Sequence, residues 1–151
     1  MNRDFQDFLR ALNVAEAEFM VVGAYALAVH GRPRATGDID IWIRPSAENA
    51  QRVYSALVSF GAPIGNLSQT DLTTPHIVYQ MGVPPRRIDI LTSVSGVDFA
   101  RAWERRISVG FGGVICPVIG LADLIENKRA TGRPKDLVDV SDLENIDPAG
   151  Q

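Results

Sequence analysis

Two short segments limit what this chain can fold into: "GDIDIWI" at 37–43 and "RRIDIL" at 86–91, each setting aspartate between isoleucines. Successive side chains of an extended strand point to opposite faces, so isoleucines and acids must part company. Ile39 and Ile41 are expected to anchor one strand in the core while Asp38 and Asp40 project side by side, about 6.6 to 7 Å apart at Cα. Asp89 repeats the pattern between Ile88 and Ile90 and shares its face with Arg87 and Leu91. If the two strands are neighbours, three carboxylates converge. Two carboxylates about 5 Å apart repel by roughly 3 kcal/mol at an effective dielectric near 20, and a divalent cation between them reverses the sign. Oxygen-only donors select hard cations, Mg²⁺ or Mn²⁺. Taken alone, "DIDI" reads sooner as a solvated strand edge than as a metal site, so its surroundings have to decide.

Those surroundings alternate strand and helix. Phe5, Phe8, Leu9 and Leu12 fall at helical spacing over 4–12, and "EFMVVG" reads as a buried strand ending at Gly23. "AYALAVHG" is an alanine-rich helix stopped at Gly31, with His30 as a residue of its C-terminal turn. After "DIDIWIRP", Pro45 and Ser46 open a helix over 47–60 carrying Val53, Leu57, Val58 and Phe60. A polar, turn-rich loop follows. "HIVYQMG" and "RRIDILTSV", joined by "VPP", predict an antiparallel hairpin in which His76 has no assigned role. A helix over 97–105, short strands in "ISVGF" and "GVICPVI", and two helices split by Gly132 and Pro134 complete the chain. The expected architecture is α/β or α+β: a small mixed sheet flanked by helices.

Composition narrows the class further. At 151 residues the chain suits one domain over 1–151, with its core at about 18–145, and 46% apolar content is enough to build one. One cysteine, Cys116, sits in an apolar run, cannot form an internal disulfide and is expected to pack as a reduced hydrophobe. That favours a cytoplasmic setting. No apolar run nears the ~20 residues of a membrane span, and the charged N-terminal segment is unlike a signal peptide. A net charge of −3 argues against broad nucleic-acid binding, although Arg32, Arg34 and "NKRATGRPK" are locally basic.

Strand, glycine, helix and then an acid pair on the next strand is an order that resembles the nucleotidyltransferase superfamily related to DNA polymerase β. "VVGAYALAVHGRPRATGDIDIWI" carries the glycine turn and the D-x-D, and "RIDIL" the later carboxylate. The chain is most similar to the small prokaryotic branch that includes abortive-infection, type IV toxin nucleotidyltransferases, which adds a lysine helix and a basic residue before "DL". "LIENKRATGRPKDLVDVSDL" supplies Lys128 and Asp136.

The resemblance implies a nucleotidyltransferase fold and a role for each matching residue. Asp38 and Asp40 would hold Mg²⁺ or Mn²⁺ on the triphosphate of an NTP such as ATP; Asp89 would share a metal and act as, or orient, the general base. Lys128 would contact the phosphates and Asp136 would orient it. A lysine on an exposed helix face and an aspartate early in a helix are also ordinary features. Gly23 and Ala24 would meet a phosphate through backbone N–H groups. Arg34 and Thr36 would contact phosphate or form a solvated turn. Trp42, two residues past Asp40, could stack a base, but a half-buried core aromatic is expected. The family usually has Gly-Ser or Gly-Gly where this chain has Gly23-Ala24, so a phosphate-binding hydroxyl is missing.

The acceptor class stays open between RNA, protein and a small molecule, and a partner chain or second copy would help hold it. A catalytically weakened nucleotide-binding or antitoxin-type module is the alternative. A haloacid dehalogenase-type phosphatase is disfavoured because Trp42 stands where Thr or Val is needed. A nucleotide-sugar glycosyltransferase is disfavoured because the chain is too short for two lobes.

Overall fold

The computed structural model describes residues 1–32, 37–83 and 86–145. Asn2 caps α1 (Arg3–Val14) by accepting from the Asp4 N–H at 2.7 Å, and the helix buries the predicted stripe of Phe5, Phe8, Leu9 and Leu12. Next, β1 (Phe19–Val22) is apolar and buried at all four positions. Gly23 starts the short α2 (Gly23–Val29), and β2 (Ile39–Ile43) returns antiparallel to β1. His30 closes α2, its ring Nε2 at 2.8 Å from the Ile119 carbonyl.

Ser46 caps α3 (Ala47–Phe60), accepting from the Asn49 N–H at 3.2 Å, and Gly61 ends it at φ 88°. The face it buries corrects the expected one. Val58 is 55% exposed, whereas Asn49, Ala50, Val53, Ala56 and Leu57 are buried. Val58 lies one residue past Leu57, about 100° around the helix, and faces out. Asn49 tolerates burial because its amide donates to the Glu18 and Arg44 carbonyls and accepts from the Glu18 N–H.

A 3₁₀ turn, Asp71–Thr73, buries Leu72 within the predicted loop. Then come β3 (Val78–Met81) and β4 (Ile88–Leu91), paired antiparallel as expected. They are followed by α4 (Phe99–Glu104) and the hairpin of β5 (Ile107–Phe111) and β6 (Val114–Val118). Two helices come last among the described residues, α5 (Leu121–Thr131) and α6 (Pro134–Glu144), packed on each other.

Among the described residues the six strands form one mixed sheet in the order β3-β4-β2-β1-β6-β5. β2–β4 and β1–β6 are parallel and the other pairs antiparallel. The fold class is therefore the expected one, a mixed sheet flanked by helices. Trp42 departs from expectation: it is 1% exposed, because Phe99 closes edge-on over it with ring centroids 5.0 Å apart. No ring face is left for a base to stack on. Cys116 is buried and reduced, and burial pushes its thiol up to about 12. Among the described residues no helix is long and apolar enough to cross a membrane.

Candidate active site

Sheet register brings the acids together. In the parallel β2–β4 pair Ile39 stands opposite Ile88 and Asp40 opposite Asp89, so the two copies of Ile-Asp-Ile lie in register, apolar beside apolar and acid beside acid. Neighbouring strands are about 4.8 Å apart, which keeps the two carboxyl groups close. Asp38 precedes β2 by one residue and shares the face of Asp40.

On its other side Asp40 pairs with Val22, the last residue of β1, so the chain turns into α2 beside it. That turn needs glycine. Gly23 has φ +67°, and a β-carbon there would come within 2.2 Å of Asp40 Oδ2. Crowding shows in the protonation of Asp40, whose carboxyl is raised to about 6 by burial first, then by the charges of Asp89 and Asp38, against the pull of Arg87.

Arg87 supplies the local countercharge. Its Nε lies 2.8 Å from Asp89 Oδ1 and its Nη2 3.2 Å from Asp89 Oδ2, a two-pronged contact, and Nη2 is also 3.2 Å from Asp38 Oδ2. One guanidinium therefore joins two of the three aspartates. Sequence reasoning noted Arg87 only as a neighbour on the Asp89 face.

Across the cleft the last two helices build a second ionic group. Lys128 on α5 is not on an exposed face: it is 8% exposed, with Nζ at 3.1 Å from Asp136 Oδ1 and 3.2 Å from Asp139 Oδ2, both on α6. Asp136 Oδ2 accepts from Thr131 Oγ1 and Arg133 Nε, each at 2.6 Å. Burial would raise the Asp136 carboxyl, but the bonds from Thr131, Arg133 and Lys128 outweigh it and hold the group at about 2. Thr131, Arg133 and Asp139 were not anticipated. The i, i+3 spacing of Asp136 and Asp139, which puts both on one helix face, is the signal that points to Asp139.

The two ionic groups face a common cleft of about 480 Å³, with Gly23 and Ala24 at one side. Of the residues singled out in the sequence, Gly23, Ala24, Asp38, Asp40, Asp89, Lys128 and Asp136 line it. Arg34 and Thr36 lie outside the described residues. Four cationic side chains (Arg87, Lys128, Arg133 and Lys135) and four aspartates line it, a formal balance. A polyanion gains little from such a balance unless a further cation enters with it.

The donor set bears on which cation. Three carboxylates on adjacent strands, with no sulfur or imidazole among them, suit Mg²⁺ or Mn²⁺. Among the described residues, however, no three such side chains are arranged as a ready ion cage. Two of the three aspartates are directed at Arg87. The residues fit the ion in chemistry and placement, with the guanidinium in contact with the oxygens it would need.

No protein-family model matches this chain, and no curated protein matches it by sequence. It is similar in fold to the 1.87 Å crystal structure of a proposed nucleotidyltransferase from Thermotoga maritima, with a TM-score of 0.64 and 17% identity over 96% of this chain and 92% of that one. At that identity the likeness concerns the nucleotidyltransferase fold.

Proposed function

We propose that this protein is a metal-dependent nucleotidyltransferase, moving a nucleoside monophosphate from an NTP to an acceptor hydroxyl or phosphate. One observation carries the reading: the in-register Asp40–Asp89 pair, with Asp38 beside it, faces Lys128, Arg133 and Lys135 across a single cleft. The fold likeness supports it.

Asp38, Asp40 and Asp89 would hold Mg²⁺ or Mn²⁺. When bound, the ion neutralises phosphate charge and stabilises the attacking and leaving oxygens of an in-line displacement. Asp89 accepts or orients the acceptor's proton as the acceptor oxygen bonds to the α-phosphorus. The bond from that phosphorus to the bridging oxygen breaks, and pyrophosphate leaves. Lys128, steadied by Asp136 and Asp139, binds the phosphates, and Arg133 and Lys135 add charge on the same wall. The glycine turn lets the phosphate chain approach Asp40 without a side chain in the way.

A second reading, a nucleotide-binding or antitoxin-type module on the same fold, draws on Ala24, a methyl where a hydroxyl would hold phosphate. The acceptor, whether RNA, protein or a small molecule, would be held with help from a partner chain or second copy. Incubation with each labelled NTP, Mg²⁺ or Mn²⁺, and total cellular RNA or protein separates the readings. Metal-dependent transfer that disappears in Asp38→Ala and Asp40→Ala supports the enzyme. NTP binding without transfer in every combination supports the module.

A further inference from the structure

Resting on that reading, we infer that Arg87 is a placeholder cation, bound to Asp38 and Asp89 in the metal-free protein and displaced from them when a divalent ion enters. Its guanidinium meets both oxygens of Asp89 side-on, at 2.8 and 3.2 Å, and Asp38 Oδ2 at 3.2 Å. Those are oxygens a hard cation would take at roughly 2.0 to 2.1 Å. Guanidinium and divalent ion sharing these oxygens would stand side by side as like charges in a half-buried site, a repulsion that favours displacement.

The backbone of Arg87 is fixed while its side chain is not enclosed. Its carbonyl accepts from the Ile39 N–H at 3.0 Å, which locks the residue to the start of β2. The side chain is 29% exposed and lines the cleft opposite Lys128 and Arg133, so it has open space to swing into. Displaced there, it joins the wall assigned to the phosphates. An NTP arriving with the metal offers it a new anionic partner, whereas metal alone strands it among cations. Metal and nucleotide are therefore expected to bind cooperatively through Arg87.

The opposing role is permanent support, in which Arg87 holds Asp89 in position to ligate. The two roles predict opposite signs. With Mn²⁺ as probe and free ion read by electron paramagnetic resonance, Arg87→Gln should bind Mn²⁺ alone about two- to fivefold more tightly than the wild type, as removal of a partly exposed competing ion pair implies. Arg87→Lys should fall between. Equal or weaker binding in Arg87→Gln, with wild type binding normally, overturns the inference and leaves the metal-site reading intact. No Mn²⁺ binding by wild type, with or without a nonhydrolysable NTP, removes both.

A measurement on the unmodified protein covers the case in which Arg87→Gln does not fold. The ¹⁵N-labelled Nε–H signal of Arg87 should exchange slowly without metal, and should move to the solvent-exposed range when saturating Mg²⁺ is added without nucleotide. A signal that stays protected while nearby backbone amides report binding overturns the displacement.

Discussion

Asp40 Oδ2 occupies the space that a β-carbon on residue 23 would need, 2.2 Å from where that carbon would sit. Gly23 is thus tied to the acid by contact as well as by its turn at φ +67°.

Gly23→Ala should therefore fail twice, through left-handed strain of roughly 1–2 kcal/mol and through displacement of Asp40. A fall in melting temperature of roughly 3–8 °C is expected for a chain of this size, together with loss of NTP binding. Calorimetry and a nucleotide titration check both, and an unchanged melting temperature would show that the turn relaxes freely.

Asp40 is raised to about 6 from 3.8, so its ionisation opposes folding in the metal-free protein. Below about pH 4 both states hold the proton and the penalty is absent; as pH rises towards about 6 the unfolded chain ionises first and stability is lost. Asp40→Asn should thus stabilise the metal-free protein at pH 7 by about 1–2 kcal/mol, a discount on the full ~3 kcal/mol of such a shift, and the gain should vanish by pH 4. Urea unfolding in chelator at both pH values tests it. A variant less stable than wild type at pH 7 contradicts the crowding account.

Lys128→Met leaves Asp139 and Asp136 buried without their shared ammonium, a change expected to cost about 3 kcal/mol. Adding Asp139→Asn should recover a clear part of the loss, because Asp136 keeps Thr131 and Arg133. Additive destabilisation in the double variant would mean that the pair is not coupled. Acid should act on the same group from the other side: Asp136, lowered to about 2, contributes stability above pH 4 that drains away as pH falls towards 2.

Ala24→Ser restores the hydroxyl whose absence distinguishes this chain from the pattern it resembles. One added hydrogen bond to phosphate is worth roughly 0.5–1.5 kcal/mol, so NTP affinity measured calorimetrically with Mg²⁺ should rise about three- to tenfold. Unchanged affinity would place the phosphates away from residue 24.

Strand identity and side-chain direction were legible in the sequence because both are local: a period of two sends Ile39 and Ile41 inward and Asp38 and Asp40 to the opposite face, whatever else the chain does. Helix ends were legible for the same reason, through Ser46 and Gly31. Beyond the β3–β4 hairpin, the identity of neighbours was not. That Asp40 faces Asp89 depends on β2 pairing with β4 instead of with another strand, a non-local choice made by the packing of the whole sheet. That choice also sets Arg87 between two aspartates, and the docking of α6 on α5 turns Lys128 from a surface lysine into a buried partner of Asp136 and Asp139. Local periodicity determined which way each acid points and set Arg87 beside Asp89; only tertiary pairing decided that Asp40 meets Asp89 and that Arg87 also meets Asp38, because those partners stand on separate strands that the sheet alone brings together.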